Sequence, residues 1–423
     1  MRRSTIFYVP FALFLPALAC NGSNPAPSSP DAALSDCQGQ VTIGADFPLS
    51  GTQGEAGGYV ENGVRLAMEQ AQGSRLLGGC TLNYVPKDDA SATTKSPDKQ
   101  QGVANMNAFV ADANVVAIIG PYNSGVAAAE IPVTNRAGVL QVTPSATNPA
   151  LTIVGTDPSI DTASLRPSGN LTFFRVPVND LLQAKLAAQV AYETLGARKV
   201  YDVDDSESYG ADISNHFDEY FKARGGAVLR SHVPSSPASD YGAQIEEAKR
   251  FGADLVFFGG ISESGPGVLR AQLQRTAGAP SKFLTDDGAV TPKFITDAGP
   301  AAEGVVATGE ANVIDAEPGK TFAAQYRQRF HQDPQEYSPF GYEAARIVLT
   351  AIQGVIADNA GKLPAPIGDF RTKVIKKLAA TQFDGVLGHT AFDANGDTTN
   401  TRFGIYKVAN GKWAQQQSVT VPP

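Results

Sequence analysis

The stretch ANVVAIIGPYNSGVAAAEIPVT runs from Ala113 to Thr134. Val115 to Ile119 is a short apolar run that stops at Gly120, as a buried strand does. Ser124 and Gly125 then open a segment that reads as a helix to Arg136. A small polar pair at a helix start leaves backbone N–H groups pointing outward, which can hold an anion. It can equally be an ordinary N-cap with no ligand. The residues on either side have to decide between these readings.

Working outward, the same strand-then-helix alternation repeats. Val41 to Phe47 reads as a strand, Asn62 to Ala71 as a helix and Thr81 to Pro86 as a strand. Ser96-Pro97 reads as the cap of a helix to about Ala111, with Pro at its first position. Val139 to Val142 is the fourth strand, and Gly138 stops the helix before it. A long loop rich in Pro, Thr and Ser follows, and LTFFRV then reads as a strand. Alternation restarts with a helix from Leu181 to Leu195 and strands at Lys199 to Val203, Val228 to Val233, Leu255 to Phe258 and Phe283 to Thr285. Helices at Ala211 to Arg224, Tyr241 to Phe251 and about Gly267 to Ala277 separate them. Such alternation argues for parallel sheets covered by helices on both faces. The chain therefore carries two successive doubly wound units. Helices at Phe322 to Phe330, Tyr342 to Asp358 and Phe370 to Ala380 come next. The pairs Asn395-Gly396 and Asn410-Gly411 then predict a small antiparallel ribbon that closes the molecule.

Length and composition agree with two domains. The chain has 423 residues, is 42% hydrophobic and 18% charged, and carries a formal net charge of −8. That field does not favour nucleic acid. The four histidines are scattered without metal-ligand spacing, so no metal site is expected.

The N-terminus reads as a targeting segment. Arg2 and Arg3 precede an apolar core from Ile6 to Leu18, too short to span a bilayer. ALAC, Ala17 to Cys20, resembles the end of a bacterial lipoprotein signal, whose Cys would receive a lipid. Ala17-Leu18-Ala19 also suits ordinary signal peptidase. Residues 1–19 are read as the signal peptide, and 20–37 as the lipidated Cys20 with a Pro- and Ser-rich tether. Export permits a disulfide. Cys37 and Cys80 each precede a predicted strand; if those strands are parallel neighbours, the two thiols lie within reach of one another. Two free thiols are the alternative.

Four strand ends carry polar residues where a doubly wound sheet binds its ligands. They are Asn123-Ser124-Gly125, Thr143 to Thr147, Ser206 to Tyr209 and Thr285-Asp286-Asp287. Hydroxyls and N–H groups on the first two suit an anion, and carboxylates on the last suit a cation. An anion site on one unit facing a carboxylate on the other suits a zwitterion such as an amino acid. Catalytic signatures are missing: there is no G-x-S-x-G, no Walker A loop and no G-x-G-x-x-G. DANGD, Asp393 to Asp397, starts like a calcium loop but has Thr398 at its sixth position and Gly404 at its twelfth, so it reads as a turn. No catalysis and no cofactor are expected.

At this point the residues resemble a family. IGADFPLSG, ENGVRLAMEQ, VPKDDAS, VVAIIGPYNSGVAAAEIPV, GVLQVTPSATNP, SYGAD, GADLVFFGG, FLTDDG and FDGVLGHTAFDANGDTT occur in the order found in periplasmic solute-binding proteins of branched-chain amino acid ABC transporters, the leucine/isoleucine/valine-binding type. The resemblance implies a type I clamshell: two doubly wound parallel-sheet lobes joined by three crossover strands. Lobe 1 would be 38–176 with 310–402, and lobe 2 would be 177–309 with 403–423. A ligand would sit between the lobes and be delivered to a membrane permease. The protein would be a monomer, held to the membrane only through its N-terminal lipid. By position, the resemblance puts the ligand carboxylate on Ser124 and Gly125, further polar contacts on Ser145 and Thr147, a cleft wall on Tyr209 and the α-ammonium on Asp287. Asn123 flanks this set. Ala56, Ile261 and Ser262 fall where branched-chain members carry aromatic walls, which implies an altered side-chain pocket. Thr152 to Asn170 is an insertion. A sensing module of the same fold, for amino acids, amides or short carboxylates, is the alternative; a chain with no further domain favours transport.

Overall fold

The computed structural model describes residues 34, 36–236 and 238–422. The proposed signal peptide and Cys20 lie outside the described residues, as does most of the tether.

Ten parallel strands build two sheets of the same topology. The first comprises β1 (Gln40–Phe47), β2 (Thr81–Asp88), β3 (Val115–Ile119), β4 (Leu140–Thr143) and β5 (Phe173–Arg175), in the order β2-β1-β3-β4-β5. The second takes β6 (Lys199–Asp204), β7 (Ala227–His232), β8 (Leu255–Gly259), β9 (Lys282–Thr285) and β10 (Val306–Glu310), in the order β7-β6-β8-β9-β10. Strand order reverses between β1 and β3 in one sheet and between β6 and β8 in the other. Crevices open outside the carboxyl ends of strands at such points. β3 and β8 are buried along their whole length, as expected of strands covered on both faces.

The chain passes between the sheets three times, after Arg175, after Glu310 and before Arg402. Helices Gly319–Phe330, Ser338–Asp358 and Ile367–Ala379 belong with the first sheet; the second of them packs on β3 and β4, and its Ile347, Val348, Ile352 and Ile356 share one core with Val41, Ile43 and Phe47. Arg175, at the first passage, is fully buried and pairs with Asp397 at 2.7 Å. Asp397 also accepts from Asn179 at 3.0 Å. This polar knot ties the first passage to the third.

β1 and β2 are parallel neighbours in register from Gln40 opposite Thr81. Their starts therefore lie side by side, and Cys37 and Cys80 are joined in a disulfide.

Three local expectations change. The second helix begins at Lys99 rather than at Pro97, because Asp98 caps it, accepting from the N–H groups of Gln100 and Gln101. Only one Asn-Gly pair makes a ribbon. Asn410 and Gly411, at φ of 54° and 70°, turn β13 (Arg402–Ala409) into β14 (Lys412–Thr420), and this hairpin extends the second sheet on β10. Asn395-Gly396 instead makes a turn held against β5, where the Arg175 N–H donates to the Gly396 carbonyl. A separate small hairpin pairs β11 (Gln382–Gly385) with β12 (Gly388–Ala391). The helix read to Leu195 is α-helical from Asp180 to Gln189 and finishes in a π turn, Val190–Thr194.

Candidate functional site

Between the carboxyl ends of the two sheets lies a cavity of about 250 Å³. Ser124, Gly125, Ser145, Thr147, Tyr209, Asp287, Asn123 and Ile261 all line it. Residues as far apart in sequence as Asn123 and Asp287 thus converge, because each follows a strand whose end faces the same crevice.

One end of the cavity is built from two helix starts that face each other. Helix Ser124–Arg136 follows β3, and helix Ser208–Ala223 follows β6. Neither start is capped by a side chain. Asn123, at the N-cap position, instead donates its amide to Gln53 at 2.9 Å. The first-turn N–H groups of both helices are therefore left to the cavity. Their macrodipoles add positive potential there. The starts lie close together: a Cβ on Gly125 would stand 3.5 Å from the Ser208 Cβ and 3.1 Å from the Lys99 Cε. Lys99 forms no ion pair among the described residues, and its ammonium joins the same end of the cavity. The Ser124 hydroxyl accepts from the Asn148 N–H at 3.1 Å. Asn148 also donates to the Ser208 carbonyl at 3.0 Å, which bridges the two units.

Ser145 and Thr147 hold the loop after β4. The Ser145 hydroxyl donates to the Tyr122 carbonyl at 3.0 Å, and the Thr147 carbonyl accepts from the Asp180 N–H at 3.1 Å. Both are buried beneath the first helix start.

At the other end stands Asp287. It accepts hydrogen bonds from Gln183, from the Tyr209 hydroxyl at 2.8 Å and from the Tyr337 hydroxyl at 2.6 Å. A carboxylate has about four lone-pair sites, so room remains for one more donor. Burial, and then the neighbouring carboxylates, push the Tyr209 and Tyr337 phenols well above their ordinary range, which keeps both as donors. Asp286 points the other way, into the protein, where it accepts from the Gly260 N–H at 2.8 Å. Alternate residues of an extended segment face opposite sides. Burial and the adjacent Asp287 charge push its carboxyl well up. Asp205 locks β6 to the turn after β8 through Ser264 at 2.8 Å and the Ile261 N–H at 3.2 Å; burial raises its carboxyl to about 6.

Ala56 lies outside the main cavity. It lines an adjoining one of about 70 Å³ that shares Tyr122, Glu263, Asp287, Gly288 and Tyr337 with the first. Ser262 lines neither. The short turn Ser262–Ser264 rotates its hydroxyl into the protein, 2.5 Å from the Thr291 hydroxyl, and brings Glu263 to the cavity in its place.

Ser208 lies in the strand-end segment Ser206 to Tyr209 that the sequence singled out, whereas sequence reasoning missed Lys99, Tyr122, Glu263 and Tyr337 as lining residues. Tyr122 and Glu263 closely follow β3 and β8, so extending the strand-end rule by a few residues would have found them, whereas Lys99 opens the helix after β2 and lies well beyond that strand's end. Tyr337 follows no strand and carried no such signal.

The insertion stays behind the site. It forms the short helix Thr162–Leu165 and packs on helix Ser124–Arg136; its Asp157 accepts from Asn148 at 3.0 Å.

Residues 40–412 match the family described as periplasmic binding protein. The chain belongs to that family. Among curated relatives of this periplasmic binding protein, the Leu/Ile/Val-binding protein homolog 1 of Brucella melitensis is 23% identical over 371 residues, 88% of this chain and 91% of the relative. Among solved structures, a leucine binding protein, LivK, from Thermotoga maritima is 26% identical, with a TM-score of 0.75 over 90% of this chain and 99% of its own. The branched-chain amino acid transporter substrate binding protein LivJ from Streptococcus pneumoniae, in complex with isoleucine, gives a TM-score of 0.75 at 22% identity, over 91% and 100% of the two chains. These neighbours share the type I periplasmic-binding fold.

Proposed function

We propose that this periplasmic binding protein is the extracytoplasmic substrate-binding component of an ABC transporter. It captures an amino acid, branched-chain or related, and hands it to a membrane permease. The observation that carries this reading is the pair of opposite ends of one cavity. Two uncapped helix starts and Lys99 suit a carboxylate, and Asp287, held by three donors, suits an ammonium. The named leucine- and isoleucine-binding relatives support the same class of ligand. In this reading Ser124, Gly125, Ser145, Thr147, Tyr209 and Asp287 contact the zwitterion. No bond is made or broken, and the protein acts by binding alone.

The lobes are 38–176 with 310–402 and 177–309 with 403–423. They close on the ligand by bending at the three passages. Cys20 carries the lipid that holds the protein near its permease, and the protein works as a monomer. Isothermal titration with the common L-amino acids, after stripping bound ligand by unfolding and refolding, tests the reading. Micromolar or tighter binding of at least one of them is expected, and no binding by any overturns it.

A further inference from the structure

The adjoining cavity is unusual for an apolar side chain. Three tyrosines, Tyr59, Tyr122 and Tyr337, share its walls with the carboxylates Glu55, Glu263 and Glu336. Its one ammonium, Lys293, is already paired with Asp297 at 2.7 Å. The carboxylates differ in how they are engaged. Glu55 is exposed and accepts from Tyr59 at 3.4 Å. Glu336 accepts from the Glu310 N–H at 3.0 Å. Glu263 forms no ion pair and accepts no side-chain hydrogen bond among the described residues, although it lines both cavities.

A carboxylate drawn partly out of water needs either a proton or a cation. Burial pushes the Glu263 carboxyl above its ordinary range, and its own backbone N–H and then Lys293 oppose this only in part. Tyrosine faces attract cations, and they do so more strongly away from solvent. Ala56 leaves space in the wall, and Ser262, turned inward, lets Glu263 take the exposed place. A leucine-like side chain entering here would meet a carboxylate that it cannot solvate.

We propose that Glu263 is the specificity-determining residue of the cleft, and that the ligand is an amino acid whose side chain ends in a cation, an ammonium or a guanidinium, seated between Glu263 and the three tyrosines. This rests on the amino-acid reading above, keeps its zwitterion site and replaces its branched-chain side chain with a cationic one. Asp287 takes the α-ammonium, the helix starts take the carboxylate, and the side chain extends past Tyr122 into the second cavity.

The test is isothermal titration of the purified, ligand-stripped full chain and its Glu263→Gln variant with L-lysine, L-arginine, L-leucine and L-glutamine. L-lysine or L-arginine should bind at least about tenfold more tightly than L-leucine, and Glu263→Gln should weaken that cation about tenfold or more while leaving L-leucine within about threefold. Glu263→Leu should shift the preference further toward L-leucine. Tighter binding of L-leucine or L-glutamine to the unaltered protein overturns the proposal and leaves the amino-acid reading standing. Equal weakening of all ligands by Glu263→Gln also overturns it, because Glu263 then acts on the fold. Binding of none overturns both.

Discussion

Tyr337 donates its hydroxyl to Asp287 at 2.6 Å, across the gap between the unit built on the first sheet and the unit built on the second. Tyr337 precedes helix Ser338–Asp358, which packs on β3 and β4 of the first sheet, whereas Asp287 follows β9. In the proposed reading, this bond couples closure of the cleft to the site that takes the ligand's ammonium. Tyr337→Phe should keep the fold and weaken amino-acid binding about tenfold, the range for one hydrogen bond to a charged group. Asp287→Asn should weaken it about a hundredfold or more, since a buried ammonium loses its counter-charge. Titration calorimetry checks both; unchanged affinity in Asp287→Asn would remove Asp287 from the site.

Gly125 and Ser208 meet across the cleft, and a Cβ at 125 has only 3.5 Å to the Ser208 Cβ. Gly125→Val should hold the cleft open. Small-angle scattering should then show no ligand-induced decrease in radius of gyration, where the unaltered protein contracts.

Arg175 is fully buried on Asp397 and on the carbonyl of Asn148, at 2.8 Å. Removing one partner of such a pair leaves an uncompensated charge and costs about 3–5 kcal/mol. Arg175→Ala should lower the melting temperature by roughly 2–4 °C for each kcal/mol lost. A shift below a few degrees would show that water replaces the pair.

Stability should fall as pH rises from about 4 to about 9. Asp46, Asp89 and Glu130 cluster without solvent at the end of β1, and several of their carboxylate oxygens have no hydrogen-bond partner. Burial raises Asp89 to about 9 and Asp46 to about 7, and Glu130 also goes well up. Glu343, buried elsewhere in the first unit, is raised to about 7. Each holds its proton more tightly when folded than when unfolded. Their contribution is complete below the unfolded pKa near 4 and is lost as pH climbs through the folded values. Melting should therefore occur at a higher temperature at pH 5 than at pH 8.5, and Asp89→Asn should flatten the profile. A rising profile would mean that these groups ionise without penalty.

The disulfide closes a loop across a sequence separation of 43. Constraint of the unfolded chain by a loop of that length contributes roughly 4 kcal/mol. Cys37→Ser should lower the melting temperature by about 8–16 °C, measured by scanning calorimetry beside the reduced unaltered protein. Equal stability in both would mean that the reduced chain keeps the two strands paired when unfolded.

Much of this architecture is legible in local sequence. β3 and helix Ser124–Arg136 begin and end where the apolar run, Ser124 and Gly138 say they should, because buried parallel strands and small-residue helix starts are local matters. Cys37 and Cys80 pair because β1 and β2 are parallel neighbours, the condition on which the sequence reading made their disulfide depend. Asp98 was hidden behind Ser96-Pro97 because two capping signals compete within three residues and packing chooses. Asn395-Gly396 carries a hairpin signal, but β5 and Arg175 take its carbonyl and leave a turn.

By itself the sequence determined the two doubly wound units, the strand ends that carry the polar groups, and the family to which their order belongs. Strand periodicity, helix punctuation and chain order are short-range properties, and they survive without coordinates. Tertiary structure alone decided that Tyr337 reaches Asp287, that Lys99 and Ser208 face Gly125, and that Glu263 rather than Ser262 meets the cavity. Those juxtapositions depend on the angle between two units and on the rotation of a three-residue turn. Both are set by packing over long sequence distances, to which no local pattern of residues is sensitive.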